Sequence, residues 1–270
     1  MVKGIDCASK LNAQTAAAIR AEGYSFAGRY LVPSSGDMTW KALTKDEAER
    51  IAAAGLRLLT VWETTADRVK GGAAAGAADG ARAFQCARDI GMPESGIIYF
   101  AVDFAAQQGD MGTIEAYLRA ARKNTGPYEI GVYGSYPVIE EMAARGACKG
   151  FWQCVAWSYG KKSGNLNVYQ GWSGQKAGGV NVDVNECADM DRAGIWTYDE
   201  GKEDEDMPRY NTMAEVPDWA KPTIRKLIAK GCIQSGGAPP DEDGNPTDMD
   251  LGRDMLRGFV INDRAGVYGK

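Results

Sequence analysis

Ile97-Ile98-Tyr99-Phe100-Ala101-Val102-Asp103 is an apolar run that stops on an acid. The same arrangement recurs elsewhere in the chain. Gly4-Ile5-Asp6, Leu59-Thr60-Val61-Trp62-Glu63 and Val180-Asn181-Val182-Asp183 each carry β-like residues into a carboxylate. Working outward, β-like runs occupy residues 2–7, 25–31, 57–62, 96–103, 128–133, 152–157, 167–170 and 180–183. Helical patterns, with apolar residues at three- and four-residue spacing, fill 13–22, 45–54, 72–90, 113–123 and 137–145. Gly23, Gly55, Gly91 and Gly146 stand just past helix ends, where a left-handed C-cap favours glycine. Strand–helix alternation predicts parallel strands with crossover helices. Eight strands favour a closed barrel over an open sheet. A Gly-rich loop, not a helix, joins the last two, so the expectation is an α/β fold with an irregular (β/α)8 TIM-like barrel. The Gly/Ala-rich helix beginning near Gly71 reads as a site of close helix–barrel packing.

The character changes after Trp196. Asp199-Glu200-Gly201-Lys202-Glu203-Asp204-Glu205-Asp206 is charged and poor in apolar residues, which marks a linker. The expected organisation is a barrel over 1–197, an acidic linker over 198–208 and a small all-α module over 209–270. In that module, helical patterns cover 217–230, with Trp219, Ile224, Leu227 and Ile228 on one side, and 251–265. Asp241-Glu242-Asp243-Gly244-Asn245 lacks the spacing and distal Glu of a calcium loop and reads as a solvated turn.

The composition of the 270-residue chain is informative through an absence: it contains no histidine. That excludes Ser-His-Asp and Cys-His nucleophile systems and His-ligated zinc sites. Acid–base work then falls to Asp, Glu, Tyr, Cys or Lys. No metal and no cofactor is expected. The six scattered cysteines form no C-x-x-C pair and read as buried apolar filler, not a disulfide framework. A net charge of −5 without a basic cluster argues against nucleic acid. No apolar stretch approaches the ~18 residues of a membrane span. The N-terminus lacks a secretory apolar region, so synthesis in the cytoplasm is expected.

Catalytic groups of such barrels sit at the C-terminal ends of strands. Asp6, Glu63, Asp103 and Asp183 occupy those places and are the candidate catalytic residues. Partial burial and mutual crowding raise carboxyl pKa values, which suits a general acid at neutral pH. Glycosidic cleavage needs such a donor plus a second carboxylate or an equivalent stabiliser. Arg29, Tyr30, Trp62, Tyr133, Trp157, Gln170 and Trp172 share the strand ends and are candidates for substrate binding, because rings and planar amides suit sugars.

Gly4-Ile5-Asp6, Gly28-Arg29-Tyr30-Leu31, Val61-Trp62-Glu63, Ile98 to Asp103, Gly131-Val132-Tyr133-Gly134 and Val182-Asp183-Val184-Asn185 resemble the glycoside-hydrolase-like barrel related to glycoside hydrolase family 25 lysozymes. Val216-Pro217-Asp218-Trp219-Ala220-Lys221-Pro222, Asp254-Met255-Leu256-Arg257 and Asp263-Arg264-Ala265-Gly266-Val267-Tyr268 resemble the C-terminal helical module of bacteriophage endolysins. The resemblance implies a muramidase-like activity on the β-1,4 bond of peptidoglycan. Asp103 would match the fourth-strand acid, Asp6 the first-strand Asp and Asp183 the last-strand Asp. The family's Asp-x-Glu pair reads Ala101-Val102-Asp103 here, so one carboxylate is missing. Glu63 is the candidate substitute, and attack by the sugar's own acetamido group is the alternative that needs no protein nucleophile. Two other readings stand beside hydrolysis. One is a non-catalytic barrel that binds wall glycan. The other is an assembly protein that forms a homo-oligomer through Trp219, Leu227 and Phe259 of the tail helices.

Overall fold

The computed structural model of the protein describes residues 1–171, 174–198, 209–234, 237–264 and 266–269. The chain divides into two compact units, Met1–Tyr198 and Asp199–Lys270. The acidic run expected to be a linker lies outside the described residues.

In the first unit, the strands β1 (Val2–Asp6), β2 (Phe26–Tyr30), β3 (Arg57–Trp62), β4 (Ile97–Ala101), β5 (Glu129–Gly134), β6 (Gly150–Cys154) and β7 (Val168–Gln170) pair in that order, all parallel. The helices α1 (Ala13–Ala21), α2 (Lys45–Ala53), α3 (Gly72–Asp89), α4 (Met111–Arg122) and α5 (Tyr136–Ala144) make the first five crossovers. The barrel closes differently from the expectation. After β7 come β8 (Gln175–Ala177) and β9 (Val180–Cys187), and β9 runs antiparallel to both β7 and β1. The eight-stranded ring is therefore β1 to β7 plus β9, with β8 outside it as a hairpin partner of β9. Gly178 and Gly179, at φ 54° and 84°, make the two-residue turn of that hairpin, a turn that needs positive φ at both positions. A reversed last strand follows from the missing helix: a hairpin loop is too short to carry the chain back for a parallel pairing.

Two layers of core result from the period-two alternation of each strand. Phe26, Leu59, Val61, Ile97, Tyr99, Ala101, Trp152 and Val168 fill the barrel interior together with Ala193 and Ile195. The last two belong to the segment that returns after β9. Tyr99 Oη donates to Ala193 O at 2.9 Å and Ile97 N to Gly194 O at 3.3 Å, which plugs the end where β4 begins. Ala27, Leu58, Trp62, Ile98, Phe100, Ile130 and Val132 face outward against the helices.

The glycine-rich helix shares the outer core with the barrel strands through Ala75, Ala83 and Ala87, but its glycines make their close approach to the neighbouring helix. A Cβ on Gly76 would lie 2.1 Å from Tyr117 O, and one on Gly80 2.4 Å from Ala121 O, both on α4. Buried Asp79, on the same stretch of α3, accepts from Tyr117 Oη at 2.7 Å and pairs with Arg68 at 2.8 Å.

The second unit contains α6 (Lys221–Ala229), α7 (Arg253–Arg264) and a short antiparallel pair, β10 (Arg209–Tyr210) with β11 (Leu251–Gly252). The all-α expectation is thus corrected by the β pair. Tyr210, Met213, Val216, Ile224, Leu227, Met249, Leu251, Leu256 and Val260 form its core. Asp263 joins the two helices by accepting from Thr223 at 2.9 Å and Lys226 at 2.7 Å. Trp219 stands exposed instead of on the packed side, while Leu227 is buried. Asp241 Oδ1 caps its own turn by accepting from the backbone N–H groups of Asp243 and Asn245.

Candidate active site

The first-strand acid is the anchor. Asp6 ends β1, in register with Gly28 on β2 and with Asp183 on β9. A Cβ at Gly28 would lie 2.7 Å from Asp6 Cβ and 3.2 Å from the Trp152 ring. Glycine here makes room for the acid and the indole inside the barrel.

Asp6 Oδ2 accepts from Asn185 Nδ2 at 2.7 Å and from Gln170 Nε2 at 2.8 Å. Both amides are held in that orientation from behind. Trp152 Nε1, which can only donate, bonds Asn185 Oδ1 at 2.8 Å, and Tyr133 Oη donates to Gln170 Oε1 at 2.7 Å. The NH2 of Gln170 also reaches Asp183 Oδ2 at 3.4 Å, so one nitrogen bridges two carboxylates. Tyr133 packs edge-on against Trp152, with ring centroids 5.0 Å apart.

A pocket of about 140 Å3 is lined by Asp6, Tyr30, Glu63, Asp103, Tyr133 and Asp183, among others. All four predicted carboxylates therefore meet in one place. Asp183 arrives by a route that sequence reading did not anticipate. It lies inside antiparallel β9, near the start, and not at the end of a parallel strand. A reversed strand brings its beginning to the face where the others finish.

Burial is the leading influence on each acid. It lifts Asp6 to about 7, although the Asn185 and Gln170 hydrogen bonds pull the other way. Burial also raises Glu63 and Asp103, and for both the nearby Lys41 ammonium opposes the shift. Asp183 is raised by burial and then by the charge of Asp103. Lys41 Nζ lies 3.9 Å from Glu63 Oε1 and 4.3 Å from the centre of the Tyr30 ring. Burial lowers the Lys41 pKa against the pull of the two acids.

Several predicted binding residues are placed elsewhere. Arg29 is 0% exposed and faces α2, where it pairs with Glu47 at 2.8 Å and donates to the carbonyls of Cys7 and Lys41. Trp62 is 1% exposed and belongs to the outer core. Both corrections have one cause: successive strand residues point to opposite faces. Tyr30 and Glu63 take the inward positions, so Arg29 and Trp62 take the outward ones. Trp157 lies beyond the end of β6, outside the pocket lining. Trp172 lies outside the described residues. Tyr30, Tyr133 and Gln170 do line the pocket.

Trp152, Asn185 and Lys41 were missed. Asn185 follows Asp183 at a spacing of two, which puts both on one face, and that signal was readable. Lys41 sits in the irregular connection between β2 and α2, where no periodicity points.

With this geometry in place, comparison with known proteins is decisive for the family. Residues 17–203 match the Rv2525c-like, glycoside hydrolase-like domain. The chain belongs to that family. The Tat-secreted protein Rv2525c of Mycobacterium tuberculosis, solved with L-tartrate, superposes with a TM-score of 0.64 at 26% identity, over 73% of this chain and 99% of that one. A glycosyl hydrolase 25 of Streptococcus pneumoniae, GHIP, shares the fold with a TM-score of 0.52 at 13% identity, over 72% and 92%. The uncharacterized protein FadG of Bacillus subtilis (strain 168) is 26% identical over 216 residues, 70% of this chain and 36% of that protein. The chain spans about a third of the length of the curated relatives it matches. Within this Rv2525c-like, glycoside hydrolase-like domain, the pocket described above is the place where the barrel gathers its ionisable groups.

Proposed function

We propose that the barrel hydrolyses the glycan strands of bacterial peptidoglycan at the β-1,4 bond after N-acetylmuramic acid, as a muramidase. The observation that carries this reading is the meeting of Asp6, Glu63, Asp103 and Asp183 in one pocket, where burial raises all four, Asp6 to about 7, and Lys41 opposes the rise at Glu63 and Asp103. Unequal carboxyl environments separate acid from anion. The division of labour differs from the sequence expectation, in which Asp103 donates the proton and Glu63 or Asp6 stabilises the oxocarbenium-like centre or activates water. Asp6, lifted to about 7, retains a proton near neutral pH and is the proton donor. Glu63 and Asp103 are raised by burial, but the Lys41 ammonium beside them favours their anions, and in this reading those anions stabilise the oxocarbenium-like centre. Asp183 and Gln170 orient the sugar, and the substrate's acetamido group supplies the nucleophile that the Ala101 position does not. Tyr133 and Trp152 hold the two amides that fix Asp6.

In this reading the protein is a two-part lysin of phage type, a role that rests on the tail's resemblance. Its second unit is the wall-binding module, presenting the exposed Trp219. The test is chemical. Purified protein mixed with isolated walls should release new reducing ends, and mass spectra of the products should show cleavage after N-acetylmuramic acid. Asp6→Asn and Asp103→Asn should each reduce release at least ~100-fold, the scale of general-acid loss.

A second reading, a barrel that binds glycan without cutting it, is favoured by one observation. Ala101 lies inside the barrel on β4, where the family 25 pair would place a carboxylate. It predicts wall pull-down with no reducing-end release.

A further inference from the structure

Among the described residues of the barrel unit, the exposed large aromatic side chains are Trp40, Trp157 and Tyr159, at 62%, 38% and 77% exposure. Single exposed aromatics scattered over a surface need no explanation. These three are not scattered. Trp40 lies in the connection that leaves β2, next to Lys41, whose ammonium reaches Glu63 of the pocket at 3.9 Å. Trp157 and Tyr159 lie in the connection that leaves β6. Both connections emerge at the end of the barrel where the carboxylates gather. In the ring order, three strands separate β2 from β6 in either direction, so the two connections leave the ring on opposite sides.

The backbone adds an independent observation. Trp157 and Tyr159 both adopt φ 54°, a left-handed conformation uncommon for bulky side chains. Ser158 between them is buried. It donates to Cys154 O at 2.6 Å and accepts from Tyr136 N, at the start of α5, at 2.8 Å. Locking Ser158 inward turns its two neighbours outward. Strained residues persist where the surroundings over-determine them, and they cluster at ligand clamps. Core packing does not account for rings that face solvent.

The pocket itself, at about 140 Å3, is smaller than the ~300–1,000 Å3 that encloses a whole small ligand. It accepts a single ring and leaves a polymer's neighbouring sugars on the rims. We propose that Trp40 on one rim and the Trp157–Tyr159 pair on the other are stacking platforms for the sugars on either side of the one in the pocket. The site then takes a linear glycan in mid-chain. This rests on the glycan reading above and adds chain length as the determinant of recognition.

The test uses the full chain carrying Asp103→Asn to block turnover, with binding followed by calorimetry. The ligands are peptidoglycan strands stripped of stem peptides and their disaccharide unit. Strands should bind at least ~10-fold more tightly than the disaccharide. In that background, Trp40→Ala and Tyr159→Asn should each weaken strand binding by roughly three- to tenfold, as expected for loss of one aromatic contact, and leave the disaccharide unchanged. Asn removes the ring and tolerates left-handed backbone. Tyr159→Phe, which keeps the ring, should bind like its parent. Equal affinity for strand and disaccharide, variants that bind strands normally, or strand binding that requires stem peptides would each overturn the platforms. Hydrolysis is read separately, from reducing ends released by the wild type. Length-dependent, ring-dependent binding without release refutes the muramidase and keeps the platforms. Release that is indifferent to Trp40 and Tyr159 refutes the platforms and keeps the muramidase.

Discussion

Asp6 is held between opposing influences: two amide donors favour its charge, and burial opposes it and prevails. The consequence for stability has a definite sign. Folded Asp6 titrates near 7, the unfolded residue near 4. Between those values the folded chain holds a proton that the unfolded chain has lost, so stability declines as pH rises through this window. Asp6→Asn should therefore be inactive yet more stable at pH 8 by roughly 1–4 kcal/mol, a gain that vanishes near pH 4. Urea midpoints at both pH values check it, and a variant less stable at pH 8 contradicts the assignment. Activity should fall as pH rises past about 7, when the donor ionises. Lys41 acts on the other limb. Its charge lowers the pKa of Glu63 and Asp103, so Lys41→Met should move the acidic limb of the pH–rate profile to higher pH. An unmoved limb would show that neither carboxylate must be charged. Arg29 offers the contrasting case. Removing it leaves Glu47 buried and unpaired, which costs about 3–5 kcal/mol. Thermal melts of Arg29→Met should show that loss, while activity per folded molecule at low temperature stays near normal.

At the scale of elements, the close approach of α3 and α4 depends on two glycines. Gly76→Ala would drive a methyl group against the Tyr117 carbonyl. Overpacking of this kind costs about 1–3 kcal/mol, so the melting temperature should drop by several degrees. Such crossover helices were legible in the sequence because their apolar spacing and C-terminal glycines are local signals. Gly23, Gly55, Gly91 and Gly146 all have positive φ, as helix-ending glycines do. The eight strands of the ring were legible for the same reason, but β8, the short pair β10–β11 and the direction of β9 were not. Val180-Asn181-Val182-Asp183 alternates identically in a parallel or an antiparallel strand, and direction is set by how the ring closes. Which of two adjacent residues faces the pocket was also recoverable in principle. Period two forbids Arg29 and Tyr30, or Trp62 and Glu63, from sharing one face. Lys41 was beyond reach because its position depends on an irregular connection tied back to β2 through the Tyr30–Ala42 bridge.

At the scale of the whole molecule, the two units carry separate cores. The unit Met1–Tyr198 holds the carboxylate pocket, and the unit Asp199–Lys270 has a core of its own. Of the residues expected at a homo-oligomer interface, Leu227 lies in that core and Trp219 is exposed, and in the proposed reading Trp219 is what the unit offers to the wall. Removing residues 199–270 should leave cleavage of soluble glycan fragments largely intact and slow the clearing of suspended walls. Equal rates on walls would remove the targeting role. The most direct measurement is the reducing-end yield from purified peptidoglycan incubated with wild type, Asp6→Asn and Asp103→Asn at pH 6. Sustained release by the wild type, abolished in both variants, is the predicted result. No release by the wild type, or undiminished release by either variant, would contradict it.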